Sequence, residues 1–173
     1  DVCDYVCIGE GERALIELLD SIEKKGSGEN VKGIWVKTNK KVIKNPPANM
    51  SKLTELPYMD LDLFDPIHFY RPFDGKKYKM LNYEFSRGCP FLCSYCVNGT
   101  LKHTYAGLGP YHREKDVSQS IRELKFLADK YKFNFIRFWD EDFTANSTEH
   151  LKAYAEEYLR EINLPFLIYA RVE

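Results

Sequence analysis

The chain has 173 residues, enough for one ordinary domain with a core of its own. Hydrophobic residues make up 44% and charged residues 29%, the balance of a globular chain rather than a disordered one. The formal net charge of −1 gives no electrostatic case for a nucleic-acid or membrane surface, and no stretch reaches the roughly 18 apolar residues of a membrane helix.

Asp4 to Ile8 reads as a short buried strand, Gly9-Glu10-Gly11-Glu12 as a turn, and Ala14, Leu15, Leu18, Leu19 and Ile22 as the apolar stripe of a helix ending near Lys24-Lys25-Gly26. Cys3 and Cys7 stand four apart on this strand and are expected to be small buried hydrophobes. Gly33–Lys37 and Lys41–Ile43 flank Thr38-Asn39-Lys40 as a small hairpin. Pro46-Pro47, Pro57, Pro66 and Pro72 then mark an extended linker, and its aromatics (Tyr58, Phe64, Phe69, Tyr70, Phe73) predict that it is docked rather than free. Three domains of organisation follow: residues 1–26, a linker with a hairpin over 27–75, and a core domain over 76–173.

From Tyr78 the pattern is strand, loop, helix, strand, helix, strand. Met80–Phe85 is the first strand. Asp116 or Ser118 caps a helix running to Tyr131 with Ile121, Leu124, Leu127 and Ala128 on one face. Phe133–Trp139 is the second strand. Asn146 or Ser147 starts a helix striped by Leu151, Tyr154, Ala155, Tyr158, Leu159 and Ile162, and Phe166–Ala170 is the third strand. Such alternation predicts parallel βαβ units, whose chemistry gathers at the carboxyl ends of the strands. The cysteine loop after the first strand, Asp140-Glu141-Asp142 and Arg171 all fall there. The chain opens mid-pattern and stops just after a strand-like run, as a piece of a larger protein would.

Cys89, Cys93 and Cys96 lie within eight residues, Cys-Pro-Phe-Leu-Cys-Ser-Tyr-Cys. Three thiolates so crowded suit one metal centre, and in a four-iron cubane they leave one iron open to another ligand. The five cysteines of the chain, an odd number in a mixed-charge sequence, favour a reduced, cytoplasmic setting. A zinc site using His103 as fourth ligand is the competing reading, although His103 follows Cys96 by seven residues. A plain iron–sulfur electron-transfer module is another.

Ser86-Arg87-Gly88-Cys89-Pro90-Phe91-Leu92-Cys93-Ser94-Tyr95-Cys96 resembles the signature of the radical S-adenosylmethionine enzymes. Asp4–Glu12, the linker and Phe138–Asn146 resemble the subgroup associated with a cobalamin-binding domain. The resemblance implies an α/β fold: the N-terminal part of a partial (βα)6 TIM-type barrel, preceded by the last strand–helix unit of a doubly wound cobalamin-binding-type domain. It implies a [4Fe–4S] cluster on Cys89, Cys93 and Cys96, with S-adenosylmethionine chelating the open iron and cleaved to a 5′-deoxyadenosyl radical. It places Tyr95 against the cofactor's adenine, where the alternative is a packed core tyrosine. It offers Glu141, then Asp142, for the ammonium or ribose, though these acids equally suit a turn and helix start. It offers Arg171 for the cofactor carboxylate, whereas Arg113 reads as a surface or helix-start residue. Cobalamin would be held upstream of Asp1, methyl transfer or a rearrangement or cyclisation would be the reaction, and a flavodoxin or ferredoxin would supply the electron. The resemblance does not name the substrate, and the isolated piece is expected to be inactive.

Overall fold

The computed structural model describes residues 3–24, 26–39 and 41–171. Lys25 and Lys40, which the sequence places at a helix end and in a hairpin loop, lie outside the described residues. The chain divides into two compact units: residues up to Lys52 together with Ser94–Tyr111, and Leu53–Cys93 together with His112 onward.

In the first unit, β1 (Tyr5–Cys7), β2 (Ile34–Lys37) and β3 (Val42–Lys44) form an antiparallel sheet in that order, with Tyr5 opposite Val36 and Trp35 opposite Lys44. The hairpin thus adds directly onto the first strand of the chain. Helix α1 (Gly11–Glu23) buries Ala14 and Leu18 against Val31, Ile34 and Val36. Its other apolar residues, Leu15, Ile16, Leu19 and Ile22, are exposed, so the expected stripe is covered along one edge only. Glu10 makes no side-chain cap on α1, and its Oε2 instead accepts from the Ser51 N–H at 2.6 Å. Cys3 and Cys7 are exposed, contrary to the expectation of buried hydrophobes, because β1 is an edge strand of a small sheet. Helix α2 (Asn98–Thr104) also belongs to this unit.

In the second unit, β4 (Tyr70–Phe73) pairs antiparallel with β5 (Lys76–Tyr83), and β5 then pairs parallel with β8 (Phe135–Phe138) and β8 with β9 (Phe166–Leu167). Helices α3 (Val117–Tyr131) and α4 (Thr148–Glu161) make the two crossovers. Two-residue strands β6 (Ser86–Arg87) and β7 (Arg113–Glu114) pair antiparallel after β5. Arg113 is therefore a half-buried strand residue opposite Arg87, neither a surface nor a helix-start residue.

The helix caps are those the sequence allowed. Asp116 accepts from the Gln119 N–H at 3.0 Å and Ser147 from the His150 N–H at 3.2 Å, so Ser118 and Asn146 are not the caps. Leu81, Tyr83 and Phe85 from the β5 side, Ile136 and Phe138 from β8, Ile121, Leu124 and Leu127 from α3, and Tyr154 and Tyr158 from α4 form one core. Each fully buried side chain of this size contributes about 1.5–3 kcal/mol of apolar burial. The linker docks as its aromatics predict: Phe69 meets Phe133 edge-on at 5.2 Å, Tyr58 meets Phe126 at 5.7 Å, and the Leu61 N–H donates to the Tyr131 hydroxyl. Phe64 stays exposed.

The first parallel strand begins four residues earlier than Met80, at Lys76. The cause is a two-residue Asp74-Gly75 turn with φ of 46° and 69°, the left-handed pair that closes a tight hairpin, so β4 lies inside what reads as linker. Pro72 is tolerated because β4 is the edge of its sheet. Among the described residues no helix is long and apolar enough to cross a membrane.

Candidate functional site

The chain leaves β5 at Tyr83 and enters the cysteine loop through Gly88, whose φ of 78° is a conformation that a side chain would strain. Three carboxylates from the turn after β8 stand at this entrance. Asp140, 1% exposed, accepts from the Ser86 hydroxyl at 2.6 Å and from the N–H groups of Ser86 and Phe85. Burial raises its pKa, and these hydrogen bonds oppose the rise. Glu141 Oε2 accepts from the Gly88 N–H at 3.1 Å, and desolvation raises its pKa. Asp142 is buried; its Oδ1 accepts from the Thr144 N–H and hydroxyl at 2.9 and 2.6 Å, while its Oδ2 is buried without a partner.

The first cysteine sits among these acids. Cys89 is half-buried, and desolvation first, then Asp142, Glu141 and Cys93, push its thiol pKa up. Cys93 is also half-buried and free. Arg171 reaches the same loop from beyond β9, its guanidinium carbon 4.1 Å from the centre of the Phe91 ring. Cys89, Glu141, Asp142 and Arg171 are thus brought together around the first half of the loop.

In the first unit Cys96 is half-buried, and the Asn98 Nδ2 donates to its sulfur at 3.5 Å; the Asn98 Oδ1 in turn accepts from the Tyr111 hydroxyl at 2.7 Å. Tyr95 is 91% exposed, so it is not a packed core tyrosine. His103 lies exposed in the last turn of α2.

Among the described residues no group of three or more His, Cys, Asp or Glu side chains is already gathered as a metal site. The donor chemistry nevertheless fits an iron–sulfur group. The three thiols are free and half-buried, and thiolate is the donor that selects such clusters. The acids around Cys89 disfavour a bare thiolate there, and cationic iron reverses that penalty. The orphaned Asp142 Oδ2 is an unused acceptor suited to an ammonium.

No protein-family model matches the chain. In sequence it is 33% identical over 144 residues to an uncharacterized methyltransferase of Pyrococcus horikoshii, covering 83% of this chain and 29% of that protein. It is 27% identical over 143 residues to the anaerobic magnesium-protoporphyrin IX monomethyl ester cyclase of a Synechocystis strain, covering 83% of this chain and 27% of the cyclase. Two solved structures share its fold. The cobalamin-dependent S-adenosylmethionine radical enzyme OxsB, with aqua-cobalamin and S-adenosylmethionine bound, superposes with a TM-score of 0.63 at 20% identity, over 94% of this chain and 22% of that one. The radical S-adenosylmethionine methyltransferase TsrM of Kitasatospora setae, with cobalamin and a [4Fe–4S] cluster bound, gives 0.58 at 20% identity, over 91% and 30%.

The chain is thus similar in sequence to a protein named as a methyltransferase and to a cyclase, and in fold to two radical S-adenosylmethionine enzymes. It has their α/β fold, and it spans less than a third of the length of the two curated relatives described above.

The sequence marked Glu141 and Asp142 but not the part Asp140 plays at the root of the loop, nor Arg137 on β8. Asp140 reaches Ser86 across 54 residues, a pairing that no local spacing announces. Arg137 did leave a signal: a lone charge inside the aromatic run Phe133–Trp139.

Proposed function

We propose that this chain is the cluster-bearing part of a radical S-adenosylmethionine enzyme, with a [4Fe–4S] cluster on Cys89, Cys93 and Cys96. When bound, the cluster supplies the electron that cleaves S-adenosylmethionine reductively. The observation that carries the reading is the anchoring of the cysteine loop at the carboxyl ends of parallel strands, by Asp140 at Ser86, Glu141 at Gly88 and Arg171 on Phe91.

Each residue then has a task. Asp140 fixes the loop's root, so the thiols are presented from a rigid strand end rather than a floppy segment. Asp142 holds the cofactor's ammonium through its unused oxygen, with Glu141 dividing its carboxylate between the Gly88 N–H and the same cation. Glu141, first choice from the sequence, ranks behind Asp142 here because its oxygen already serves the loop. Arg171 takes the cofactor carboxylate, and the exposed Tyr95 covers the adenine. The core belongs to a partial (βα)6 barrel, and residues 1–26 to the end of a cobalamin-binding domain whose ligand is held upstream. The reaction class is methyl transfer or a related rearrangement or cyclisation in the reduced cytoplasm, with a flavodoxin or ferredoxin as electron donor.

Anaerobic reconstitution with iron and sulfide tests this. About four irons per chain and a brown chromophore are expected. Alanine at Cys89, Cys93 and Cys96 together is expected to abolish both. One colourless zinc per chain, or full iron in the triple variant, would overturn the reading. Formation of 5′-deoxyadenosine under reductant separates it from a plain electron-transfer protein.

A further inference from the structure

Arg137 is a half-buried cation whose charge nothing answers among the described residues. Its one hydrogen bond runs from Nη2 to the Tyr169 hydroxyl, and its Nε is buried without an acceptor. Arg87, Lys115, Lys130 and Arg160 each meet a carboxylate at 2.6–2.9 Å. Arg137 meets rings instead: its guanidinium carbon lies 4.0 Å from the centre of Trp139 and 5.6 Å from that of Tyr169. Both rings are large apolar surfaces left in solvent, 45% and 39% exposed.

The position excludes a packing role on the core side. Ile136 and Phe138, on either side of Arg137, belong to the core under α3 and α4, so Arg137 points to the opposite face of the sheet. Arg137 is one residue from the carboxyl end of β8, and open α/β sheets bind ligands just outside the carboxyl ends of their strands. A guanidinium desolvated by two rings is costly without an anion and is a strong fork for a carboxylate.

We propose that Arg137, walled by Trp139 and Tyr169, anchors a carboxylate of the substrate, and that a flat unsaturated or aromatic portion of the same substrate lies on the Trp139 ring. The word substrate rests on the radical-enzyme reading above; the binding itself does not. Arg171, stacked on Phe91 within the cysteine loop, is the separate guanidinium assigned above to the cofactor's carboxylate.

The chain has two tryptophans, so Trp35→Phe leaves Trp139 as the sole reporter. Titration of that protein with benzoate is expected to quench Trp139 emission saturably, and neutral benzamide to leave it unchanged. Arg137→Gln is expected to weaken benzoate by about tenfold or more, and Arg137→Lys not to restore it. Tyr169→Phe, which removes only the competing hydroxyl, is expected to bind benzoate at least as well. An equal response to benzamide, unchanged benzoate affinity in folded Arg137→Gln, or a loss in Tyr169→Phe matching that of Arg137→Gln overturns the proposal. So does loss of S-adenosylmethionine binding in Arg137→Gln with benzoate retained, which assigns the fork to the cofactor. Iron content is read in parallel: a cluster without benzoate binding sinks the anchor alone, and benzoate binding without a cluster sinks the radical reading alone.

Discussion

On β8, Ile136 and Phe138 turn into the core beneath α3 and α4, whereas Arg137 between them turns to the other side. The helix-facing side of this sheet carries charge too, and there Lys115 and Glu123 answer each other. Lys115 Nζ lies 2.6 Å from Glu123 Oε2 and 3.1 Å from the Tyr83 hydroxyl; Tyr83 donates to Glu123 at 2.8 Å, and the Met59 N–H donates to the other carboxylate oxygen. Burial, then Glu123, raise the Tyr83 pKa, so it remains a neutral donor at any physiological pH. The opposite side holds Arg137 with rings in place of a counter-ion, and the turn beyond it holds Asp142 with an idle oxygen. The contrast teaches how to separate the two uses of polar groups in one sheet: a closed network ties segments together, and an open valence waits for a ligand.

The sharpest way to break this contrast is to open the closed side. Lys115→Met leaves Glu123 buried opposite no cation and is expected to cost about 3–5 kcal/mol in chemical denaturation. Lys115→Met combined with Glu123→Leu is expected to recover most of that loss, because the charge and its penalty leave together. A double variant as weak as the single one would mean that the network is indispensable for another reason.

Asp140 stands between the two classes, closed in its bonding yet placed at the site. Asp140→Asn puts an N–H₂ where Ser86 and Phe85 present donors and is expected to cost about 1–3 kcal/mol. Its distinguishing effect is faster loss of iron to a chelator, measured beside a core variant of equal stability such as one at Leu127, which should hold iron normally. Equal rates would deny Asp140 any part in presenting the thiols.

Arg137→Gln probes the open side, and its effect on folding should be within about 0.5 kcal/mol of zero, since it removes a cation that meets no carboxylate among the described residues. A loss comparable to that of Lys115→Met would make Arg137 a structural residue.

What the sequence made legible follows the range of each interaction. Asp116, Ser147, the stripe Ile121, Leu124, Leu127 and the βαβ alternation act within a few residues, and all are found as read. The cysteine loop was legible because its spacing is itself local. The Asp74-Gly75 hairpin was also written locally, yet the prolines around it masked it as linker. The antiparallel pairing of β1 with β2, the hold of Asp140 on Ser86 and the exposure of Cys7 depend on partners tens of residues away, for which periodicity carries no information.

The smallest expected effect lies where the linker meets α3, at the exposed pair of Lys130 Nζ and Asp62 Oδ2, 2.7 Å apart. The hydrogen bond from Lys130 lowers the Asp62 pKa below its ordinary 3.8, and the same bond raises that of Lys130. The signs follow from linkage: Asp62 contributes stability that is present above its ordinary pKa and lost as pH falls through the lowered one. Lys130 contributes stability that is present below its ordinary pKa and lost as pH rises through the raised one. Solvent screening keeps both contributions minor, so Asp62→Asn should shift Tm slightly at neutral pH, less in high salt, and flatten the acid limb of the Tm–pH curve. An unscreened, salt-independent shift would place this pair among the closed contacts of the sheet's helix side, and the division between answered charge and open valence would have to be drawn by burial rather than by partnership.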